Sequence, residues 1–185
     1  MLAFAALVGL FYGFKSQRDA AARRPVPQCN VAKPVLGTGG GSTAVLLGEG
    51  ALWDDEKQVL YSIDIVGGKI FVYDPIQQKN IHVIDLRMHI GACVRRAKPG
   101  VWHLVCGTSR GFCIVDVTTG KIVEWLEDPE AGIRTNRMND GKCDPQGRFW
   151  CGSMGLKCET GFGSLYCLGT DLKVTRVRFQ LYCNR

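Results

Sequence analysis

From Val45 onward, short apolar runs rich in β-branched and aromatic residues alternate with turns built from Asp, Gly, Pro and Asn. No stretch of any length carries the 3.6-residue periodicity of an amphipathic helix. The runs recur as units, over residues 54–86, 97–127 and 144–177. Each unit reads as a polar turn, an apolar strand, a Gly-bearing turn, a second strand, another turn and a third strand. Anchored on Tyr61, Leu104 and Trp150, the units are spaced by 43 and 46 residues. That period matches a β-propeller blade, roughly 40–50 residues for four short antiparallel strands. One small sheet cannot bury both of its faces, so blades stack radially and share their cores. A β-sandwich of similar size is the competing architecture, and the regularity of the period favours the propeller. Three blades do not close a ring, since propellers use about four to eight. Two apolar faces are therefore expected to be bare, inviting self-association or pointing to a partial product.

Composition changes this picture little. The 185 residues are 46% hydrophobic and 22% charged, ordinary values for a globular chain. The net charge of +6 has sources at the two ends, in Lys15, Arg18, Arg23, Arg24 and Lys33, and in Arg176, Arg178 and Arg185. The body between them is close to neutral, and no basic stripe with interleaved aromatics is present, which argues against nucleic acid as a partner. Nine cysteines include no C-x-x-C pair and no zinc-site spacing with histidine. Cys106, Cys113, Cys151 and Cys167 sit inside apolar runs, where a thiol behaves as a small hydrophobe, and a reducing, cytoplasmic compartment fits that usage. Residues 1–24 form an apolar segment with a basic flank, and residues 25–44 a Pro/Gly-rich lead-in. The first 14 residues are short for a bilayer span. They suit a signal-peptide core without its usual positive start, so secretion, a short anchor and a misassigned gene start stay open.

Two stretches hold polar groups that the repeat does not require. In the first, LGEGALW at residues 47–53, Glu49 lies between glycines at a strand start, where its carboxylate would face a propeller's central channel. By composition alone a solvated turn residue is the commoner reading. The second, at residues 137–154, places Arg137, Asn139 and Asp140 within four residues. These could line a polyol-binding edge, and Asn and Asp oxygens suit a hard cation such as Ca²⁺. A plain Asn-Asp-Gly turn is the simpler reading, and Asp144-Pro-Gln-Gly147 is a hairpin turn. His82, His89 and His103 are read as structural, His82 and His103 lacking acidic neighbours at motif spacing. The four tryptophans are read as blade filling.

Taken together, the two stretches resemble the gluconolactonase/regucalcin (senescence marker protein) family. L-G-E-G-A-L-W and, about ninety residues later, R-x-N-D-G-K-x-D-P-x-G-R-F-W-x-G-S-M keep the family's wording and spacing. Gly163-Ser-Leu-Tyr166 looks like another family strand. The resemblance spans residues 45–177, and residues 178–185 form a divergent tail. It implies an all-β, six-bladed propeller of which this chain holds about three blades. It also implies a sugar lactone as substrate and one divalent cation in the channel, Ca²⁺ foremost, with Zn²⁺, Mn²⁺ or Mg²⁺ as alternatives. In the family the cation polarises the lactone carbonyl while a carboxylate manages the proton on water. Glu49 matches a metal ligand, and Arg137 and Asn139 match residues that bind the sugar. The family's other metal ligands, including the Asp that acts as acid/base, lie in S-N-G and P-D-G motifs that this sequence does not contain. The catalytic residue is thus unassigned, and the chain alone is expected to be silent. A further substrate-binding Glu aligns with Lys157, or with Glu159 if a gap is allowed. The resemblance also admits a non-catalytic, calcium-binding propeller.

Overall fold

In the computed structural model, residues 45–159 and 161–181 are described; the apolar segment at 1–24 and the lead-in at 25–44 lie outside them. Twelve strands follow one another. β1 (Gly48–Asp54), β2 (Val59–Asp64), β3 (Lys69–Asp74) and β4 (Lys79–Asp85) form the first sheet. β5 (Ile90–Arg95), β6 (His103–Thr108), β7 (Gly111–Asp116) and β8 (Lys121–Trp125) form the second. β9 (Asn136–Cys143), β10 (Phe149–Gly155), β11 (Gly163–Leu168) and β12 (Val174–Leu181) form the third. Every sheet is an antiparallel meander in sequence order, and no helix occurs among the described residues. The chain forms three blades of a β-propeller.

Aspartates set the hairpins. Asp54, Asp64 and Asp74 each end a strand or stand at its edge, ten residues apart, and each carboxylate accepts backbone N–H groups of the turn it opens. Asp116 does the same for Thr119 N (2.6 Å), and Asp144 for Gln146 N (3.0 Å). This Asx bonding satisfies donors that no ladder reaches. The fifth residue of the turn then takes a positive φ, at Gln58, Gly68, Gln78 and Gly120. The strand–turn alternation seen in the sequence therefore has a local cause.

The blades meet through two apolar layers, and strand parity assigns residues to each. Between the first and second blades lie Tyr61, Ile63, Ile70 and Val72 against Leu104, Cys106, Cys113 and Val115. Between the second and third lie Val105, Phe112 and Ile114 against Met138, Phe149, Cys151 and Tyr166. β6 and β7 are covered on both faces, which is why they read as near-continuous apolar runs rather than alternating ones. Burying one such side chain contributes about 1.5–3 kcal/mol. The three anchors fall on the second strand of each blade but not on one face. Tyr61 and Leu104 enter the first layer, whereas half-buried Trp150 lies between Phe149 and Cys151, the two residues that enter the second.

The cysteines behave as expected. Cys93, Cys106, Cys113, Cys151 and Cys167 are buried and all seven described thiols are free. Burial pushes the Cys93 thiol up to about 12, which makes it inert as a nucleophile. Polar side chains pin the seams. Buried Asp54 accepts the Tyr61 hydroxyl (3.0 Å) and pairs with Arg95 (3.0 Å), and Trp102 Nε1 donates to the same hydroxyl. In the third blade, buried Asp144 takes Arg148 Nε (2.6 Å) and Trp150 Nε1 (2.8 Å). Buried Glu130, ahead of β9, accepts from Ser153 Oγ (2.6 Å) and the Tyr166 hydroxyl (2.9 Å).

Candidate functional site

Neighbouring blades approach most closely through their first strands, β1, β5 and β9, which therefore line the hub. A chain of contacts places the starts of all three at one end. Ile65 N donates to Leu47 O just ahead of β1, and Ile90 N at the start of β5 donates to Ile65 O. Gly91, also on β5, lies against the backbone of Met138 and Asn139 on β9.

Each of these strands is irregular near its start. On β1 the register slips between Glu49 and Leu52, leaving Gly50 and Ala51 opposite one residue, with Gly50 at φ +64°. On β5 it slips between Ile90 and Ala92. On β9, Asn139 and Asp140 together oppose Gly152. A bulge of this kind bends the strand and re-aims its side chains, a recurrent device beside binding sites. The polar residues singled out in the sequence thus stand at or next to the hub bulges.

Glu49 is exposed, beside an open hollow of about 380 Å³ that Gly48, Ala51, Ser62 and Phe71 also line. Asp64 fixes the chain that leads into it. Its buried carboxylate accepts Leu46 N (2.9 Å), Leu47 N (3.0 Å) and Gly67 N (3.0 Å). Burial acts to raise the Asp64 pKa, but these three N–H bonds and the charge of Lys69 outweigh it and hold the carboxyl below its ordinary value.

On β9, buried Arg137 donates from Nη1 to its neighbour's carbonyl, Met138 O (3.0 Å), and to Asn139 Oδ1 (2.8 Å). The two sequence-predicted substrate residues are therefore one hydrogen-bonded unit, and a guanidinium so tethered presents a fixed set of donors. Glu49 stands two hub strands away from that unit, across β5. Asp140 is exposed and bonds the following amide, Gly141 N (2.7 Å). Lys157 is exposed, while half-buried Glu159 folds back over the end of β10, its Oε2 within 2.6 Å of where a β-carbon on Gly155 would stand. Gly155 pairs with Asn136, the residue before Arg137.

His89 is read as structural in the sequence. It immediately precedes β5, between the Glu49 strand and the Arg137 strand, and is half-buried. Burial and the nearby charge of Arg137 both hold its imidazole below the ordinary pKa of 6.5. The signal available was positional: His89 heads its blade as Glu49 and Arg137 head theirs.

A hard cation takes about six to eight oxygens. Glu49 offers two at most, and no cluster of three His, Cys, Asp or Glu side chains among the described residues is arranged to hold a metal ion. The residues present do not make a complete cation site. Among the described residues, no helix is long and apolar enough to cross a membrane.

Comparison with known proteins agrees with this architecture. The chain is 31% identical over 120 residues to a 6-deoxy-6-sulfogluconolactonase of Pseudomonas putida, covering 65% of this chain and 40% of that protein. It is 30% identical over 135 residues to the pentonolactonase XacC of Haloferax volcanii, covering 73% and 43%. Among solved structures it is similar to a calcium-binding protein, regucalcin, of Agrobacterium tumefaciens. That match has a TM-score of 0.66 at 28% identity and covers 75% of this chain and 44% of the other. The chain spans less than half the length of the curated relatives it matches. Residues 47–184 match the family described as the SMP-30/Gluconolactonase/LRE-like region. With that match running through all three blades and both hub motifs, the chain belongs to the SMP-30/gluconolactonase/LRE-like family.

Proposed function

We propose that this chain provides half of the active cleft of a sugar lactone hydrolase. In this reading Arg137 and Asn139 bind the hydroxyls and carbonyl oxygen of the lactone, and Glu49 contributes one carboxylate to a divalent cation, Ca²⁺ foremost. The observation that carries it is the Arg137–Asn139 unit, held in a bulged hub strand by a 2.8 Å bond. Similarity to proteins named as lactonases supports the substrate class. Neither the remaining cation ligands nor an acid/base carboxylate is supplied by these three blades, so the hydrolytic step needs groups from further blades.

The test joins this chain, in one polypeptide, to the second half of the Haloferax volcanii pentonolactonase and follows acid release from sugar lactones in a pH-stat. Hydrolysis is expected in the fusion, and Arg137→Lys should lower kcat/KM by about tenfold or more, because a lysine lacks the rigid planar fork that holds Asn139 and substrate in fixed directions. A folded fusion without hydrolysis would overturn the lactonase reading. Hydrolysis by the 185-residue chain alone with added Ca²⁺ would overturn the division of the site between two halves. A non-catalytic, calcium-binding role is the second reading, favoured by the similarity to a regucalcin described as calcium-binding. A fusion that binds Ca²⁺ without opening lactones would establish it.

A further inference from the structure

We propose that His89 is a third substrate-contacting side chain of this site, accepting a hydrogen bond from a hydroxyl of the bound sugar lactone beside Arg137 and so contributing to substrate choice. This rests on the lactone reading given above and extends it to a residue that the hub motifs do not include.

The His89 carbonyl accepts Ser109 N (3.0 Å), and the next residue, Ile90, donates to Ile65 O (3.3 Å). Two residues on, Gly91 is pressed against the Met138 and Asn139 carbonyls. His89 is thereby held at the head of β5, two residues before the contact of β5 with Met138 and Asn139 on β9. Its side chain is half-buried.

The edge beside Arg137 is richer in donors than in acceptors. A guanidinium only donates, and the carbonyl oxygen of the Asn139 side chain already spends one of its two lone pairs on Arg137. A sugar hydroxyl both accepts and donates, so one bound by Arg137 still needs a partner for its own proton. A neutral imidazole supplies such a lone pair without adding a charge beside Arg137. Burial and the Arg137 charge favour the neutral form.

The test uses the 185-residue chain with D-glucitol, an unreactive polyol, followed by NMR of the His89 ring and of the Arg137 and Asn139 side-chain signals. Glucitol is expected to shift all three sets saturably. His89→Ala should weaken binding by about three- to tenfold, the range for one neutral hydrogen bond, and His89→Gln, whose amide oxygen also accepts, should restore most of it. If glucitol shifts Arg137 and Asn139 but leaves His89 unmoved, and His89→Ala binds as tightly, the proposal fails while the lactone reading stands. If no signal moves at molar glucitol, both fail.

Discussion

A β-carbon on Gly91 would stand 2.2 Å from the carbonyl carbon of Met138 and 2.3 Å from its oxygen. The second and third blades therefore touch backbone to backbone at the hub, and the position of Arg137 and Asn139 depends on the absence of a single methyl group. Gly91→Ala is expected to cost about 3 kcal/mol, the upper part of the range for overpacking, because backbone cannot step aside. Gly107→Ala, where the nearest obstacle is the Cys151 sulfur at 2.9 Å, should cost less. Urea midpoints of the two variants provide the comparison, and the Asn139 amide shift should move only in Gly91→Ala.

Asp64 ties the segment ahead of Glu49 to the first blade. Its pKa is below the ordinary carboxylate value because the N–H bonds and Lys69 outweigh burial. The stabilisation from these bonds is fully present above the unfolded-state pKa, near 3.8, and is lost as pH falls through the lower folded-state value. Asp64→Asn should cost about 1–3 kcal/mol at neutral pH. Because the variant lacks this titration, its stability should fall less steeply than wild type below pH 4 in acid unfolding followed by circular dichroism.

Glu130 holds Ser153 and Tyr166 from a loop that belongs to neither of their strands. Glu130→Ala leaves two buried hydroxyls short of a partner and should lower stability by about 2 kcal/mol. Tyr166→Phe removes one end of the same network, so the double variant should lose less than the sum of the two. Thermal or urea unfolding of the four proteins closes that cycle.

His89 provides a readout without any ligand. Burial and Arg137 disfavour its charged form, so its ring should titrate below pH 6.5, and Arg137→Gln should move the midpoint up. Because the unfolded chain takes up that proton first, the His89 contribution weakens stability as pH drops through the window just below 6.5. A midpoint that ignores the Arg137 substitution would show that the two side chains are electrostatically independent.

Blade number and strand order were legible because their causes are local. Aspartates spaced by ten residues open the turns of the first blade, and β6 and β7 read as continuous apolar runs because both faces are covered. Glu49, Arg137 and Asn139 were legible through the wording of two motifs. The bond between Arg137 and Asn139 was not, since residues two apart share a face in any strand and need not bond to each other. The place of His89 at the hub was not legible either. No motif surrounds it, and only the packing of β5 against β9 brings it to the Arg137 end of the hub. The misleading anchor was Trp150, whose size suggested a core position that Phe149 and Cys151 in fact occupy.

Each strand pairs only with its neighbour in the chain, and this shapes how the protein is made as well as how it stands. No sheet waits for a distant segment, so a blade can close as soon as its own residues have left the ribosome, and loop-closure entropy stays small. Synthesis then becomes stacking: the second blade docks on a finished first, and the third on a finished second. By that order Glu49 is in place earliest, His89 next and the Arg137–Asn139 pair last.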